Sequence, residues 1–209
     1  YGEHVRNAVQ HGNLGAGNFT GHSKMSESQS VNWVESHDNF ANQEANIPTE
    51  INDEWLKYGW AGITAQKNGM TLFFDRPYKD GGEYGTGGKG VYADGGNAFT
   101  ENSKLGDAGS DLWKDPEVVA VNHFRNAMVG EDSNVSNCGD ENCLMVERYA
   151  GSAAQDGMVV ANANGTNKNL AGTGTKLANG TYTDEVTGST ITVSGGKITS
   201  GTVKGKSIA

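Results

Sequence analysis

The chain has 209 residues, of which 31 are glycine and only 3 are proline, and 35% are hydrophobic. This length suits one or two domains, rich in loops or in β-structure. The net charge of −9 argues against nucleic acid or an anionic membrane surface as a partner. No apolar run approaches the roughly 18 residues of a membrane span. The composition is compatible with a neutral partner such as a sugar polymer.

The first and last residues suggest a piece of a longer protein. Tyr1 is preceded by no Met and is followed by no basic segment or signal peptide. Residues 206–209 stop inside an apparent strand. We therefore expect further sequence upstream, and a C-terminal domain that is truncated at its end.

Residues 1–130 show helical and strand patterns in alternation. The end of a helix at 4–11 is followed by a strand at 31–34 and a helix at about 52–67, which Asn52 or Thr49 can cap. A continuously apolar strand, expected to be buried on both faces, follows at 70–74. A helix then begins at Pro116, with Asp115 as its N-cap. This order predicts crossover helices and a parallel sheet, although two strands are too few to stand alone.

After Asp132 the composition changes, and short β-patterns alternate with turns rich in Gly and Asn. This spacing predicts an antiparallel β domain without helices. The expected strands lie at 144–149, 158–163, 176–177, 181–183, 190–193 and 197–202.

Residues 35–39 form a polar cluster directly after the strand at 31–34. Within it, His37 and Asp38 can both hydrogen-bond and titrate. One interpretation is an ordinary hydrogen-bond cluster at a strand end. The other is an active-site mouth, because polar residues at the carboxyl ends of barrel strands carry catalysis in (β/α) barrels. Asp75-Arg76, after the next strand, is either a local ion pair or helix-cap contact, or a contact at the rim of the same cleft.

Cys138 and Cys143 are the only cysteines. Their spacing does not fit a zinc ribbon. The intervening Gly-Asp-Glu-Asn suits a tight turn that a disulfide closes, as in an exported protein, where such a small ring contributes roughly 2 kcal/mol. Two unremarkable thiols are the alternative.

Residues 31–39 (VNWVESHDN) resemble the fourth conserved sequence region of α-amylases, which are glycoside hydrolases built on a (β/α)8 barrel. Four further segments resemble secreted bacterial α-amylases in order and spacing: 58–63 (YGWAGI), 72–77 (LFFDRP), 105–107 (LGD) and 119–126 (VAVNHFRN). Residues 159–163 (VVANA) and 180–182 (GTY) resemble the β domain that follows the barrel.

The resemblance implies roles for three residues. Asp38 corresponds to the third catalytic carboxylate, which binds sugar hydroxyls and favours the oxocarbenium-like transition state. His37 is expected to bind the same sugar, and Asn42 to line the neighbouring subsite. The nucleophile and the acid/base, which a retaining glycosidase holds roughly 5–5.5 Å apart, are expected upstream of Tyr1. Most calcium ligands are expected there too, so the fragment alone should be inactive.

The resemblance therefore predicts a fold of two parts. Residues 1–132 would be the C-terminal part of a (β/α)8 TIM barrel, and residues 133–209 an antiparallel Greek-key β-sandwich domain. The expected protein is secreted, hydrolyses α-1,4-glucan and needs the remainder of its barrel as partner. A transglycosylase or branching enzyme remains an alternative, as does a non-catalytic carbohydrate-binding or structural fragment.

Overall fold

The computed structural model of the chain describes residues 2–20, 29–36, 51–67, 69–75 and 110–209. In this part there are three α-helices, eleven short strands, and 3-10 turns at Ala16–Phe19 and Leu112–Lys114. The helices are α1 (Gly2–Gln10), α2 (Asp53–Thr64) and α3 (Pro116–Ala127). The strands are β1 (Val31–Asn32), β2 (Met70–Thr71), β3 (Asp132–Asn137), β4 (Cys143–Tyr149), β5 (Gly157–Asn162), β6 (Lys168–Asn169), β7 (Gly180–Thr183), β8 (Thr190–Ser194), β9 (Lys197–Ser200), β10 (Thr202–Val203) and β11 (Ser207–Ile208).

Helices α2 and α3 begin where their capping residues predict. The Asn52 side chain accepts a hydrogen bond from the Trp55 backbone N–H, at 3.0 Å. The Asp115 carboxylate accepts one from the Glu117 N–H, at 2.9 Å, and Pro116 occupies the first turn. Each cap satisfies a backbone donor that has no partner within the helix, so the predicted starts of both helices are confirmed.

Strands β1 and β2 run parallel, with Val31 opposite Met70 and Asn32 opposite Thr71. Helix α2 lies between them in the chain, so the three elements form the predicted βαβ order. The strand at 70–74 is shorter than predicted, and its expected burial on both faces is wrong for this chain. Met70 is 69% exposed and Leu72 is 54% exposed. Within the described residues no third strand joins this sheet, so little covers these side chains.

The C-terminal half is antiparallel, as the turn spacing predicts. One sheet has the strand order β11-β5-β4-β3, another has the order β7-β8-β9, and β10 pairs with β6. In the first sheet, side chains such as Val146 and Val159 pack with the helices, whereas Met145 and Val160 pack against β8 and β9. This sheet is therefore the middle layer between the helices and the second sheet.

Some predicted strand boundaries are wrong. Residues 176–177 form no strand, because Lys176 and Leu177 lie in the loop whose bridge to Lys197 is made by Gly174. The strand expected at 197–202 is divided after Ser200 by Gly201, whose φ of 142° departs from strand geometry. Strand β3 was not predicted, since its polar sequence DSNVSN carries little β-propensity.

Two arginines connect the helices with the sheets. Arg148 of β4 is buried, and its guanidinium donates to the backbone carbonyls of Ala65, Met128 and Glu131. Arg125 of α3 donates to the carbonyl of Thr64 at 2.9 Å. Burial lowers the pKa of both guanidinium groups, yet an arginine remains charged at neutral pH. The carbonyls at the ends of α2 and α3 thus gain charged donors.

The described helices are all too short or too polar to cross a lipid bilayer.

Candidate functional site

The candidate site lies where β1 and β2 end. Because the strands are parallel, their carboxyl ends meet at one edge of the sheet. Residues 33–36 leave β1 at this edge, and residues 72–75 leave β2 beside them. This is the edge at which open or closed α/β sheets place their ligands.

Aromatic side chains pack between this edge of the sheet and helix α2. The rings of Trp60 and Phe73 meet edge to face, with centroids 5.0 Å apart. The Trp60 indole N–H also donates to the Asn122 side chain, at 3.1 Å, which ties α2 to α3. A small cavity of about 20 Å³ remains between the two strand ends and α2. It is lined by Val34, Glu35, Leu56, Trp60, Leu72, Phe73 and Phe74.

Helix α2 approaches the end of β1 closely because of a glycine. A Cβ atom added to Gly59 would lie 2.8 Å from Cγ1 of Val34 and 3.2 Å from Cγ1 of Val9. Real Cβ atoms do not tolerate the first of these distances, so only glycine permits this packing. The backbone that leads into the polar cluster is thereby held against two helices.

Two carboxylates of the site are described. Glu35 is only 5% exposed and lines the small cavity. Asp75, after β2, accepts a hydrogen bond from the Ser110 hydroxyl at 3.0 Å. The two residues lie 35 positions apart in the chain, and Arg76 lies outside the described residues, so this contact tests neither interpretation of Asp75-Arg76.

His37, Asp38 and Asn42 lie outside the described residues, as does Arg76. Ser36, the last described residue after β1, immediately precedes His37 and Asp38 in the chain. Residues 33–36, which precede them in the chain, leave the carboxyl end of β1. The roles of the three residues remain predictions.

Cys138 and Cys143 are joined by a disulfide with a Cα–Cα distance of 5.3 Å. Both residues are buried, and the Cys138 N–H donates to the Cys143 carbonyl at 2.9 Å. The disulfide closes the turn between β3 and β4. Of the two possibilities for these cysteines, the structure contains the disulfide.

The described ranges contain no group of three or more His, Cys, Asp or Glu side chains placed to hold a metal ion. Calcium stays a prediction for the complete protein.

Asp156, which is not among the residues predicted for the site, is only 4% exposed. Its carboxylate accepts hydrogen bonds from the backbone N–H groups of Ala150 at 2.7 Å, Gly151 at 3.1 Å, Ser152 at 3.2 Å and Ala178 at 2.7 Å. Burial by itself would raise the pKa of this carboxyl, but the backbone donors outweigh burial and lower it. Nothing in the local sequence shows that Ala178 lies close to Asp156 in the fold. The role of this carboxylate therefore could not be predicted from the sequence.

Comparison with known proteins identifies relatives along the whole chain. An α-amylase from Butyrivibrio fibrisolvens is 33% identical over 221 residues, and one from Clostridium acetobutylicum is 31% identical over 209 residues. Both alignments cover 100% of this chain. The resemblance to α-amylases is thereby confirmed. No family model matches the α-amylase-like chain.

The α-amylase-like chain spans only 21% and 23% of the length of these two curated relatives. Among solved structures, it is similar to α-amylase I of Eisenia fetida in a complex with maltohexaose. The TM-score is 0.54 at 16% identity, and the match covers 97% of this chain and 45% of the other. At this identity the likeness concerns the fold alone.

Proposed function

We propose that the complete protein is an α-amylase that hydrolyses internal α-1,4-glucosidic bonds of starch-like polysaccharides with retention of configuration. The observation that carries the proposal is the segment at 31–39. Its sequence resembles a conserved α-amylase region, and its described residues 33–36 leave the carboxyl end of a strand in a parallel pair. The names of the two curated relatives support the same assignment.

Within this proposal the chain contributes the C-terminal part of the catalytic barrel, at 1–132, and a Greek-key β-sandwich domain, at 133–209. The parallel pair with its crossover helix and the antiparallel sheets after Asp132 support this division. The other strands of the barrel belong to the part of the protein that this chain does not cover.

The chemistry needs three carboxylates. The nucleophile attacks the anomeric carbon while the acid/base protonates the leaving oxygen; water then releases the covalent glycosyl intermediate. Both residues are expected upstream. Asp38 would hydrogen-bond the hydroxyls of the reacting sugar and stabilise the positive charge that develops on its ring. His37 would bind the same sugar, and Asn42 the neighbouring one.

Export and calcium belong to the proposal for the complete protein. The disulfide between Cys138 and Cys143 supports an oxidising compartment, because such bonds persist mainly in exported proteins. Calcium would bind ligands that lie mostly outside this chain.

The assignment is tested by Asp38→Asn in the complete protein. The substitution keeps the size of the side chain but removes its charge. We expect kcat/KM on a soluble α-1,4-glucan to fall by roughly 10³-fold or more, since an interaction that acts mainly in the transition state is lost. The melting temperature should stay nearly unchanged. Both quantities are measured on the same purified preparation.

Asp111→Asn is the matched control, because Asp111 is an exposed aspartate that pairs with Lys114 at 2.9 Å. It should change neither quantity. Retained turnover with a large loss of thermal stability in Asp38→Asn would show a structural role for Asp38. Products with new α-1,4 or α-1,6 linkages would indicate the transglycosylase or branching alternative instead of hydrolysis. A complete protein without glucan turnover would be a non-catalytic binding or structural protein.

A further inference from the structure

The connection that follows α1 is bound by the turn between β3 and β4. The Leu14 backbone N–H donates to the Glu141 carbonyl, at 3.0 Å. The Asn137 side chain adds two hydrogen bonds: its Oδ1 accepts from the Ala16 N–H at 2.8 Å, and its Nδ2 donates to the Leu14 carbonyl at 3.1 Å. The backbone of residues 14–16 (the 14–16 segment) therefore has three hydrogen bonds to a turn that comes much later in the chain.

The 14–16 segment is part of the contact between the helices and the middle sheet. Leu14 and the nearby Phe19 are both buried, and they belong to the same apolar core as Leu144 of β4. Phe19 also lies against α2, where a Cβ added to Gly62 would be 2.4 Å from its ring. The three hydrogen bonds therefore hold the chain at a place where the helical layer meets the β domain.

The residues that bind this segment lie in or next to the disulfide ring formed by residues 138–143. Asn137 directly precedes Cys138, and Glu141 lies inside the ring. The Asn137 Nδ2 also donates to the Cys143 carbonyl at 3.1 Å, so the second cysteine helps to orient this side chain. The bond between the two cysteines therefore restricts the distance between Asn137 and Glu141.

Other contacts of the ring hold residues beside Glu141. Asp140 accepts from the Asn142 N–H at 2.9 Å and pairs with Lys168, but this ion pair is partly exposed and therefore contributes little. The Asn142 carbonyl accepts from the Ala163 N–H at 2.8 Å, next to the paired strands β4 and β5. Glu141 itself is exposed. The covalent bond is therefore the strongest restriction on where the Glu141 carbonyl lies.

We propose that the disulfide between Cys138 and Cys143 is a redox-dependent device that attaches the 14–16 segment to the β domain. In the oxidised protein the ring holds Asn137 and Glu141 in the positions that bind this segment. In the dithiol form the turn loosens and the segment detaches.

Strands β3 and β4 stay paired in both forms. Asp132–Asn137 pairs along its whole length with Leu144–Tyr149, and these backbone hydrogen bonds do not need the disulfide. The change is therefore local to the turn and to the segment that it binds.

Closing the ring oxidises two thiols to one disulfide. The two electrons and two protons pass to an external disulfide, which becomes two thiols. Cys138 and Cys143 are only 1% and 0% exposed, so a reducing thiol reaches the closed bond only after local opening. The segment is therefore attached once, when the protein meets such an oxidant, and then stays attached.

The complete protein that carries both Cys138→Ser and Cys143→Ser tests the proposal by hydrogen exchange. We expect the Leu14 and Ala16 amides to exchange roughly tenfold faster or more than in the unchanged protein, because their acceptors are no longer held in place. The Ala150 amide, which a carboxylate binds at the other end of β4, should keep its rate of exchange.

Asn137→Ala is the matched variant, because it removes the acceptor of the Ala16 N–H but leaves the disulfide and the Glu141 carbonyl. The Ala16 amide should again exchange roughly tenfold faster or more, whereas the rate at Leu14 should change by less than about threefold. Equal acceleration at Leu14 and Ala16 in this variant would contradict the separate role of the ring.

If the protein without cysteines does not fold, the unchanged protein is incubated with dithiothreitol and its free thiols are alkylated. Alkylated molecules should show faster exchange at Leu14 and Ala16, and molecules that keep the disulfide should not. Unchanged exchange at both amides in folded molecules that lack the disulfide would overturn the proposal. So would equal acceleration at Ala150, since the disulfide would then stabilise the whole domain instead of this contact.

Discussion

At the scale of single residues, Asp156 determines how two loops meet. One carboxylate oxygen accepts from residues 150–152, and the other accepts from Ala178. A buried backbone donor without a partner is costly, so this one side chain satisfies four groups at once. Its lowered pKa means that the folded state holds the charged form more tightly than the unfolded chain does.

We predict that Asp156→Asn lowers the free energy of unfolding at neutral pH by about 1–3 kcal/mol, because an amide NH₂ would then face the Ala178 N–H. The contribution of Asp156 is present above about pH 4 and is lost as the pH falls through the depressed pKa of the folded state. The difference between the variant and the unchanged protein should therefore shrink below about pH 4. Urea unfolding at several pH values measures it.

Asp184→Asn is a suitable comparison, because Asp184 is in an exposed turn, where an asparagine can still accept from the Val186 N–H. If Asp184→Asn lost as much unfolding free energy as Asp156→Asn, the role assigned to Asp156 would be contradicted. The same holds if the loss of unfolding free energy in Asp156→Asn did not depend on pH.

At the scale of elements, the packing of α2 depends on its glycines. A Cβ added to Gly62 would lie 2.4 Å from Phe19 and 2.9 Å from Leu144. Helix α2 is thus pressed both against the turn after α1 and against β4 of the middle sheet. The close approach of α2 to β4 at Gly62 connects the helical layer with the β-sheet.

We predict that Gly62→Ala costs about 1–3 kcal/mol of unfolding free energy, because the added methyl group forces Phe19 or Leu144 to move. Gly17→Ala is the control, since among the described residues no atom outside its chain neighbours lies within 4 Å of a Cβ at that position. The control should change stability by no more than about 1 kcal/mol. Equal effects of the two substitutions in chemical denaturation would show that the contact at Gly62 is not tight.

The elements also show how far sequence reasoning reaches. Starts of helices were predictable, because Asn52 and Asp115 act on N–H groups only two or three residues away. The order of parallel and antiparallel strands followed from the change in composition near Asp132. Strand β3 was not predictable, since its polar residues are held by pairing with β4 instead of by their own propensity. The polar cluster could be recognised from its sequence, but its geometry at His37 and Asp38 lies outside the described residues.

At the scale of the whole molecule, the β1–β2 pair carries the exposed apolar side chains of Val31 and Met70, and Leu72 directly after β2 is exposed as well. A short parallel sheet with such a surface favours association with other chains. In the complete barrel that we propose, neighbouring strands would cover this surface. The same side chains would then stabilise the complete protein and make the isolated piece insoluble.

We predict opposite effects of Met70→Lys in the two contexts. In the isolated chain it should raise the soluble fraction after expression. In the complete protein it should lower the free energy of unfolding by at least about 2 kcal/mol, because a charge would replace a buried apolar group. Val129→Lys adds the same charge at a position that is 78% exposed, outside the strands. If Met70→Lys behaves like this control in both contexts, the surface is not a barrel interface.

The buried guanidinium of Arg148 has a consequence for the order in which the chain matures on the ribosome. It reaches the Ala65 carbonyl at the end of α2 from a position 83 residues later in the chain. While the chain is being synthesised, the Ala65 carbonyl gains this charged donor only after β4 has emerged from the ribosome. The sheet that follows the helices therefore holds their ends in place, and nascent chains that stop before Arg148 should lack the charged donor of the Ala65 and Met128 carbonyls.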